Sequence, residues 1–193
     1  MSLVVREQSI LRMGPALGDA VEWLLVAYQL SPKQSSVRVA VRRKLSAAGA
    51  VYLSPACAVA PRSGQAERAM RRARAAITSA GGFAVLLAGQ ALAGERDLIE
   101  AFNAVRDSEY EDIIVSCRDA VTCIDALTAT SELRYQGLWE NDIRLSRLSG
   151  RYKVVRGQDV HGARRGQAAV AALAAYRSAL DEYAARVYAA DSR

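Results

Sequence analysis

Arginine side chains at helical spacing give this sequence its clearest chemical signal. The first cluster lies in SSVRVAVRRKL and consists of Ser35, Ser36, Arg38, Arg42, Arg43 and Lys44. Arg38 and Arg42 are one helical turn apart and share a face. A serine at a helix start can accept a hydrogen bond from a free N–H group, and such N–H groups also bind anions. Since guanidinium groups bind oxyanions as well, the cluster predicts an anion site that begins at a helix capped by Ser35 or Ser36.

A second cluster lies about thirty residues further along the chain, on another amphipathic helix. Its members are Arg68, Arg71, Arg72 and Arg74. If both helices lie on one side of a sheet, the two clusters form one surface that contacts phosphates with little sequence selectivity and a strong salt dependence. The alternative is that each cluster is merely a solvated helix flank. The candidate nucleic-acid or anion-binding residues are Ser35, Ser36, Arg38, Arg42, Arg43, Arg68 and Arg72.

Residues typical of metal or nucleophilic chemistry are sparse. The three cysteines, Cys57, Cys117 and Cys123, include no Cys-x-x-Cys pair, so they do not have zinc-ligand spacing. We expect them to be mainly small buried hydrophobes. His161 is the only histidine, and we expect it at the surface. The sequence also lacks a phosphate-binding P-loop and a dinucleotide fingerprint. We therefore predict no metal, no cofactor and no catalytic residue.

The elements that position the arginines alternate between strand and helix patterns. The predicted order is a strand at Trp23–Leu30, a helix from Ser35 to Gly49, strands at Ala50–Leu53 and Ala56–Ala60, a helix at Gln65–Ala80 and a strand at Phe83–Leu87. Apolar β-branched runs favour the strands, and apolar residues at helical spacing favour the helices. This is the βαββαβ order of the ferredoxin-like fold. The sequence therefore predicts an α+β protein with a ferredoxin-like core.

The remainder of the chain predicts helices. The segments are Glu95–Val105, Asp107–Leu127, Leu133–Leu148 and Gln167–Ala190, with a long glycine-containing loop at Gly150–Gly166. A third basic region begins in the preceding helix and continues through this loop, and it comprises Arg144, Arg147, Arg151, Lys153, Arg156, Arg164 and Arg165. A mobile basic loop with glycines suits contact with nucleic-acid phosphates, and it equally suits plain disorder. The predicted organisation is a partly ordered tail over 1–20, the α/β core over 21–90, and a helical extension over 91–193. That extension packs either on the core or on a second subunit.

Charge and hydropathy restrict the location and the partners. The 193 residues carry a formal net charge of +6, which favours an anionic partner. We find no signal-peptide pattern and no apolar run of membrane-spanning length. With an odd number of cysteines and no Cys-x-x-Cys pair, this predicts a reduced cytoplasmic setting and no membrane contact.

The block WLLVAYQL-SPKQSSVRVAVRRKLSAAGAVYL resembles the N-terminal domain of the chromate-resistance regulators, the ChrB family. The resemblance rests on the Trp-apolar-Tyr strand, the Pro-x-x-Ser-Ser-x-Arg-Val turn into a basic helix, and Gly-Ala-Val before the next strand. It is close from Glu22 to about Gly89, looser over Asp97–Cys117, and weak around Asp159–Leu180. The block is more distantly similar to the central ferredoxin-like domain of the phenylacetate-type repressors, a fold that small CRISPR-associated nucleases share.

The resemblance implies a transcriptional regulator of chromate resistance that binds DNA through basic helices and takes chromate, or a similar oxyanion, as its effector. Those nucleases hold a metal through an aspartate near the end of the first strand, where this chain has Tyr28-Gln29-Leu30. An amide is a poorer magnesium ligand than a carboxylate, so we expect a non-enzymatic protein. We also expect a homodimer. The alternatives are an oligomerising interaction module without nucleic-acid binding and a weak enzyme acting on an oxyanion.

Overall fold

The chain forms an α+β structure in which a four-stranded antiparallel sheet precedes three long helices. The computed structural model describes residues 21–130 and 133–191, so the tail predicted over 1–20 lies outside the described residues. The strands are β1 (Trp23–Gln29), β2 (Val51–Ser54), β3 (Cys57–Pro61) and β4 (Phe83–Gly89). The helices are α1 (Ser35–Ala47), α2 (Gly64–Ser79), α3 (Glu95–Ala129), α4 (Tyr135–Gln158) and α5 (Gly166–Asp191), and a short 3-10 turn, Pro32–Gln34, precedes α1.

The strands lie side by side in the order β2-β3-β1-β4. Every neighbouring pair is antiparallel, and Leu25 at the middle of β1 lies opposite Val59 of β3 and Leu87 of β4. Among the described strands, β1 and β3 are therefore central, while β2 and β4 form the two edges. Gly49, with a φ of 88°, follows the end of α1 and turns the chain into β2, a conformation in which glycine is favoured because it has no Cβ.

One core fills the space between the sheet and helices α1 and α2. Side chains at alternate positions of β1 meet apolar side chains that recur at helical spacing on the two helices. The fully buried members include Val26 and Ala58 from the sheet, Leu45 from α1, and Met70 and Ile77 from α2. Because both helices contribute to the same cluster, they cover the same face of the sheet.

The opposite face of the sheet is partly covered by α3. Trp23, Val51 and Val59 project from three strands onto Phe102 of α3, and the Trp23 and Phe102 rings meet edge to face with centroids 6.3 Å apart. The first half of α3 therefore packs on the sheet. Its second half enters a separate core shared with α4 and α5, in which Tyr110, Tyr176 and Tyr183 are fully buried.

Two predictions for the helical region were wrong. The segments predicted as separate helices before and after Arg106 form one 35-residue helix, α3, because Arg106 is buried within it and nothing breaks the backbone there. The loop predicted from Gly150 is helical as far as Gln158, because Tyr152 and Val155 pack into the helical core. Tertiary packing thus overrides the low helix propensity of glycine. Among the described helices, none is long and apolar enough to cross a membrane.

Candidate anion-binding surface

The start of α1 differs from the predicted serine cap. The 3-10 turn leads directly into α1, and Gln34 occupies the N-cap position. Its Oε1 accepts from the Ser31 backbone N–H over 2.7 Å, and its Nε2 donates to the Ala80 carbonyl at the end of α2. Ser35 and Ser36 are exposed in the first turn. The prediction that either serine caps α1 was therefore wrong, because glutamine fastens this turn instead.

Arg38 is half-buried and braces the chain reversal between β1 and α1. Its Nη2 donates to the Leu30 carbonyl over 2.9 Å and to the Ser31 carbonyl over 3.3 Å. A guanidinium has five N–H donors, so these contacts leave donors for a ligand. They nevertheless commit part of Arg38 to holding the backbone.

The middle of α1 carries the exposed arginines Arg42 and Arg43. The Arg42 guanidinium lies 4.7 Å from the centre of the Tyr52 ring on the edge strand β2, a cation–π contact that holds the charge near the sheet edge. Burial raises the pKa of Tyr52, and Arg42 opposes that rise. Arg42 and Arg43 thus remain at the outer surface of α1.

α2 contributes Arg68 and Arg72 to the same layer. Ser63 caps this helix by accepting from the Ala66 N–H over 3.1 Å, and α1 and α2 pack against each other. Arg68 and Arg72 are exposed. The structure therefore places Arg42, Arg43, Arg68 and Arg72 on the two helices that cover one face of the sheet, and we call these four residues the α1/α2 arginine surface.

Two arginines of the predicted second cluster lie elsewhere on α2. Arg71 donates to the Glu67 carboxylate from Nε at 2.9 Å and from Nη2 at 2.6 Å, and this contact lowers the pKa of Glu67. Arg74 Nε donates to the Ala84 carbonyl on β4 over 3.3 Å. Arg71 and Arg74 therefore belong to the side of α2 that borders the β4 edge.

Three residues of the third basic region contact α3. Arg151 pairs with Asp112 over 2.7 Å, and Arg165 pairs with Glu111. Arg144 donates to the Ser116 carbonyl over 3.2 Å. These contacts join α4 and the start of α5 to α3. They favour a structural role for this region over the nucleic-acid role predicted for a mobile loop.

Sequence reasoning missed a buried polar network where α3 meets the end of α4. Arg106 is 1% exposed, and its Nε lies 3.1 Å from the Glu109 carboxylate. Its Nη1 also donates to Gln158 Oε1. Burial lowers the pKa of Arg106 and raises that of Glu109, and each partner opposes the shift of the other. A signal was available, because Arg106 occupies the i+4 position from Phe102 within the apolar stripe of α3.

The single histidine belongs to the same region. His161 stacks on Trp23 with ring centroids 5.5 Å apart and meets Phe102 edge to face at 5.6 Å. Burial lowers the pKa of His161, while Asp159 and Glu95 oppose the change. His161 is half-buried, because the chain after α4 returns to the sheet and packs the ring against both aromatic side chains, which also contact each other.

The cysteines divide by exposure. Cys117 is buried as predicted, Cys57 is half-buried, and Cys123 is exposed, so the prediction of buried cysteines holds for one of the three. Within residues 21–130 and 133–191, no group of three or more His, Cys, Asp or Glu side chains is arranged to hold a metal ion.

A family model described as "Protein ChrB, N-terminal" matches residues 38–193, from the first arginine of α1 to the end of the chain. The chain belongs to the ChrB N-terminal family. Membership of the ChrB family indicates a regulatory protein of chromate resistance. The match includes all three long helices, where the sequence resemblance is weakest. No curated protein and no solved structure matches the chain.

Proposed function

We propose that this ChrB-family chain regulates chromate-resistance genes in the cytoplasm by binding DNA phosphates through the α1/α2 arginine surface. The observation that carries the proposal is the exposure of Arg42, Arg43, Arg68 and Arg72 on two helices that pack side by side. Contacts of this kind supply affinity without sequence readout. The third basic region is a weaker candidate because three of its arginines, Arg144, Arg151 and Arg165, are engaged with α3.

The proposal includes a ferredoxin-like assignment for the core over 21–90, with 91–193 as its helical extension. The order β1-α1-β2-β3-α2-β4 and the sheet order β2-β3-β1-β4 support it, because a split βαβ unit places each crossover helix on the same face. That topology gives α1 and α2 a common outer surface. It leaves the opposite face for α3 and, in our proposal, for part of a homodimer contact.

Chromate is the effector that we propose, at the start of α1. Ser35 and Ser36 offer exposed hydroxyl groups, and Arg38 retains N–H donors beyond those bound to Leu30 and Ser31. A tetrahedral dianion is bound by such donors together with helix-start N–H groups. We propose a non-enzymatic role, so chromate is bound here and not reduced.

A salt series tests DNA binding. The affinity of the full chain for the promoter beside its own gene is measured from low to high salt by fluorescence anisotropy. Replacing Arg42, Arg43, Arg68 and Arg72 with glutamine should flatten the slope of log K against log salt by about 0.9 for each phosphate that the variant no longer binds. The matched control replaces four exposed arginines on α3 and α5, namely Arg96, Arg118, Arg177 and Arg186.

The control variant carries the same change in net charge and should keep the wild-type slope. Equal weakening in both variants would show a non-specific charge effect, and absence of binding at low salt would favour the interaction module.

Calorimetric titration with chromate, and with sulfate for comparison, tests the effector site. The titration compares the wild type with the Arg38→Gln variant. A chromate reduction assay with a reductant addresses the enzyme alternative.

A further inference from the structure

The two edges of the sheet differ in how well they are protected from pairing with another strand. β2 has only four residues, and its pairing with β3 is irregular between Tyr52 and Ser54. β4 has seven residues, FAVLLAG, without a charge or a proline. Short or irregular edges resist further pairing, whereas long uncharged edges attract it. β4 is therefore the edge that can accept another strand.

The outward backbone groups of β4 can be assigned from one contact. Arg74 Nε donates to the Ala84 carbonyl over 3.3 Å, so that carbonyl points away from β1. Peptide groups on an antiparallel strand alternate between its two sides. The N–H and C=O groups of Leu86 and Ala88 therefore also point outward, while those of Val85 and Leu87 pair with β1.

A groove of about 530 Å³ runs along this edge between β4 and α2. Its charged lining consists of Arg62, Arg71, Arg74 and Glu67. Arg62 also pairs with Glu22 beside the groove, so three guanidinium groups against two carboxylates leave a net positive charge there. On the other face of β4, Phe83 and Leu87 are 67% and 56% exposed. The edge thus has arginines on one side and apolar side chains on the other.

The difference between the two sides of the β4 edge indicates which kind of strand can bind there. A strand added to β4 projects alternate side chains toward the two faces of the sheet. Side chains on the α2 face meet the arginines, and those on the open face meet Phe83 and Leu87. Pairing of β4 with β4 of a second copy would bring two sets of arginines together, which like-charge repulsion disfavours.

We propose that the β4 edge docks an extended segment of a partner protein in which acidic and apolar side chains alternate, so that the segment becomes a fifth strand. A backbone N–H of that segment replaces Arg74 on the Ala84 carbonyl. Arg74 is then released to pair with a carboxylate of the segment beside Arg71. The arginines of this groove are distinct from the α1/α2 arginine surface, so DNA binding and peptide docking are separable.

The test uses the full chain and a short fluorescein-labelled peptide of alternating glutamate and valine. Replacing Arg71 and Arg74 with glutamine should weaken peptide binding about tenfold or more, since the variant loses its charge-assisted hydrogen bonds to the peptide carboxylates. The matched control replaces Arg68 and Arg72, which lie on the same helix outside the groove. The affinity of this control variant for the peptide should stay close to that of the wild type.

A second probe separates strand pairing from charge attraction. The same peptide with every residue N-methylated keeps its charge but has no backbone N–H to donate from either edge, so it should not bind. Hydrogen exchange should slow at the outward amides of Leu86 and Ala88 when the unmodified peptide is added. The proposal is overturned if the methylated peptide binds equally, if the control variant loses as much affinity, or if no binding occurs. Protection of these amides that rises with protein concentration alone overturns it in favour of self-pairing.

Discussion

The side-chain amide of Gln158 donates to the backbone carbonyl of Ala47 over 2.9 Å, which fastens the end of α4 to the end of α1. The other atom of the same amide, Oε1, accepts from the buried Arg106 of α3. Gly49 lies against this side chain, since a Cβ at that position would come within 3.1 Å of Gln158. One glutamine thus connects the helical region to the helix that carries Arg42 and Arg43.

Replacing Gln158 with methionine should lower the free energy of unfolding by about 1–3 kcal/mol, because it removes an acceptor from the buried Arg106 guanidinium. Urea unfolding followed by circular dichroism measures the change. Gln65→Met, at an exposed position of α2, is the matched control and should remain close to wild type. Equal stability of the two variants would show that Gln158 contributes little.

The His161 ring should make stability depend on pH. Burial lowers its pKa below the ordinary value of 6.5, so the unfolded chain takes up the proton first as the pH falls. The stabilisation is therefore present above about pH 6.5 and is lost as the pH falls through the lower folded-state pKa. His161→Phe keeps an aromatic ring against Trp23 and Phe102 and should reduce this loss.

The measurement compares the free energy of unfolding of wild type and His161→Phe at neutral and mildly acidic pH. Since His161 is the only histidine, the difference between the two pH profiles isolates one imidazole. Proton NMR of that ring measures its pKa directly. Parallel profiles, or a pKa at or above 6.5, would contradict the prediction.

The spacing of apolar residues was sufficient to predict the four strands and the helices α1 and α2, because each of these elements buries one well-defined face. The sequence around Ala50–Pro61 illustrates this, since two short apolar runs become the strands β2 and β3. Pattern failed at Arg106 and Gly150, where a charge and a glycine indicate a break. Arg106 is helical because it is buried against the end of α4. Gly150 is itself exposed, and it is helical because Tyr152 and Val155 of the same helix pack into the bundle. Such packing cannot be read from a local window.

The sequence predicted the exposed members of the α1/α2 arginine surface but not the contacts of the other arginines with the backbone. Exposure of Arg42, Arg43, Arg68 and Arg72 follows from helical periodicity. The commitment of Arg38 to the Leu30 carbonyl and of Arg74 to the Ala84 carbonyl depends on where the strands end. Side chains of arginine reach backbone groups distant in sequence, so clusters that look equivalent in sequence divide into structural and exposed members.

Gly82 should be intolerant of a side chain. A Cβ there would lie 2.7 Å from Leu30 Cδ2, 2.8 Å from the Gln29 carbonyl oxygen and 2.9 Å from Ile77 Cγ2. Gly82→Ala should therefore destabilise the fold by about 1–3 kcal/mol through overpacking. Gly89→Ala, at the last residue of β4, meets nothing within 4 Å and is the control. Thermal unfolding of both variants tests the difference, and equal melting temperatures would refute it.

The three cysteines should react with an alkylating reagent in the order of their exposure. Cys123 is exposed and should react first. Burial raises the pKa of the half-buried Cys57 thiol, which lowers its thiolate fraction and should slow its reaction. Cys117 is 1% exposed and should react only when the chain unfolds. Pulsed alkylation with mass spectrometry, with and without urea, resolves the three sites, and Cys123→Ser should abolish the fast phase. Labelling of Cys117 in the native chain at a rate comparable to Cys123 would mean that the helical core opens far more often than its packing implies.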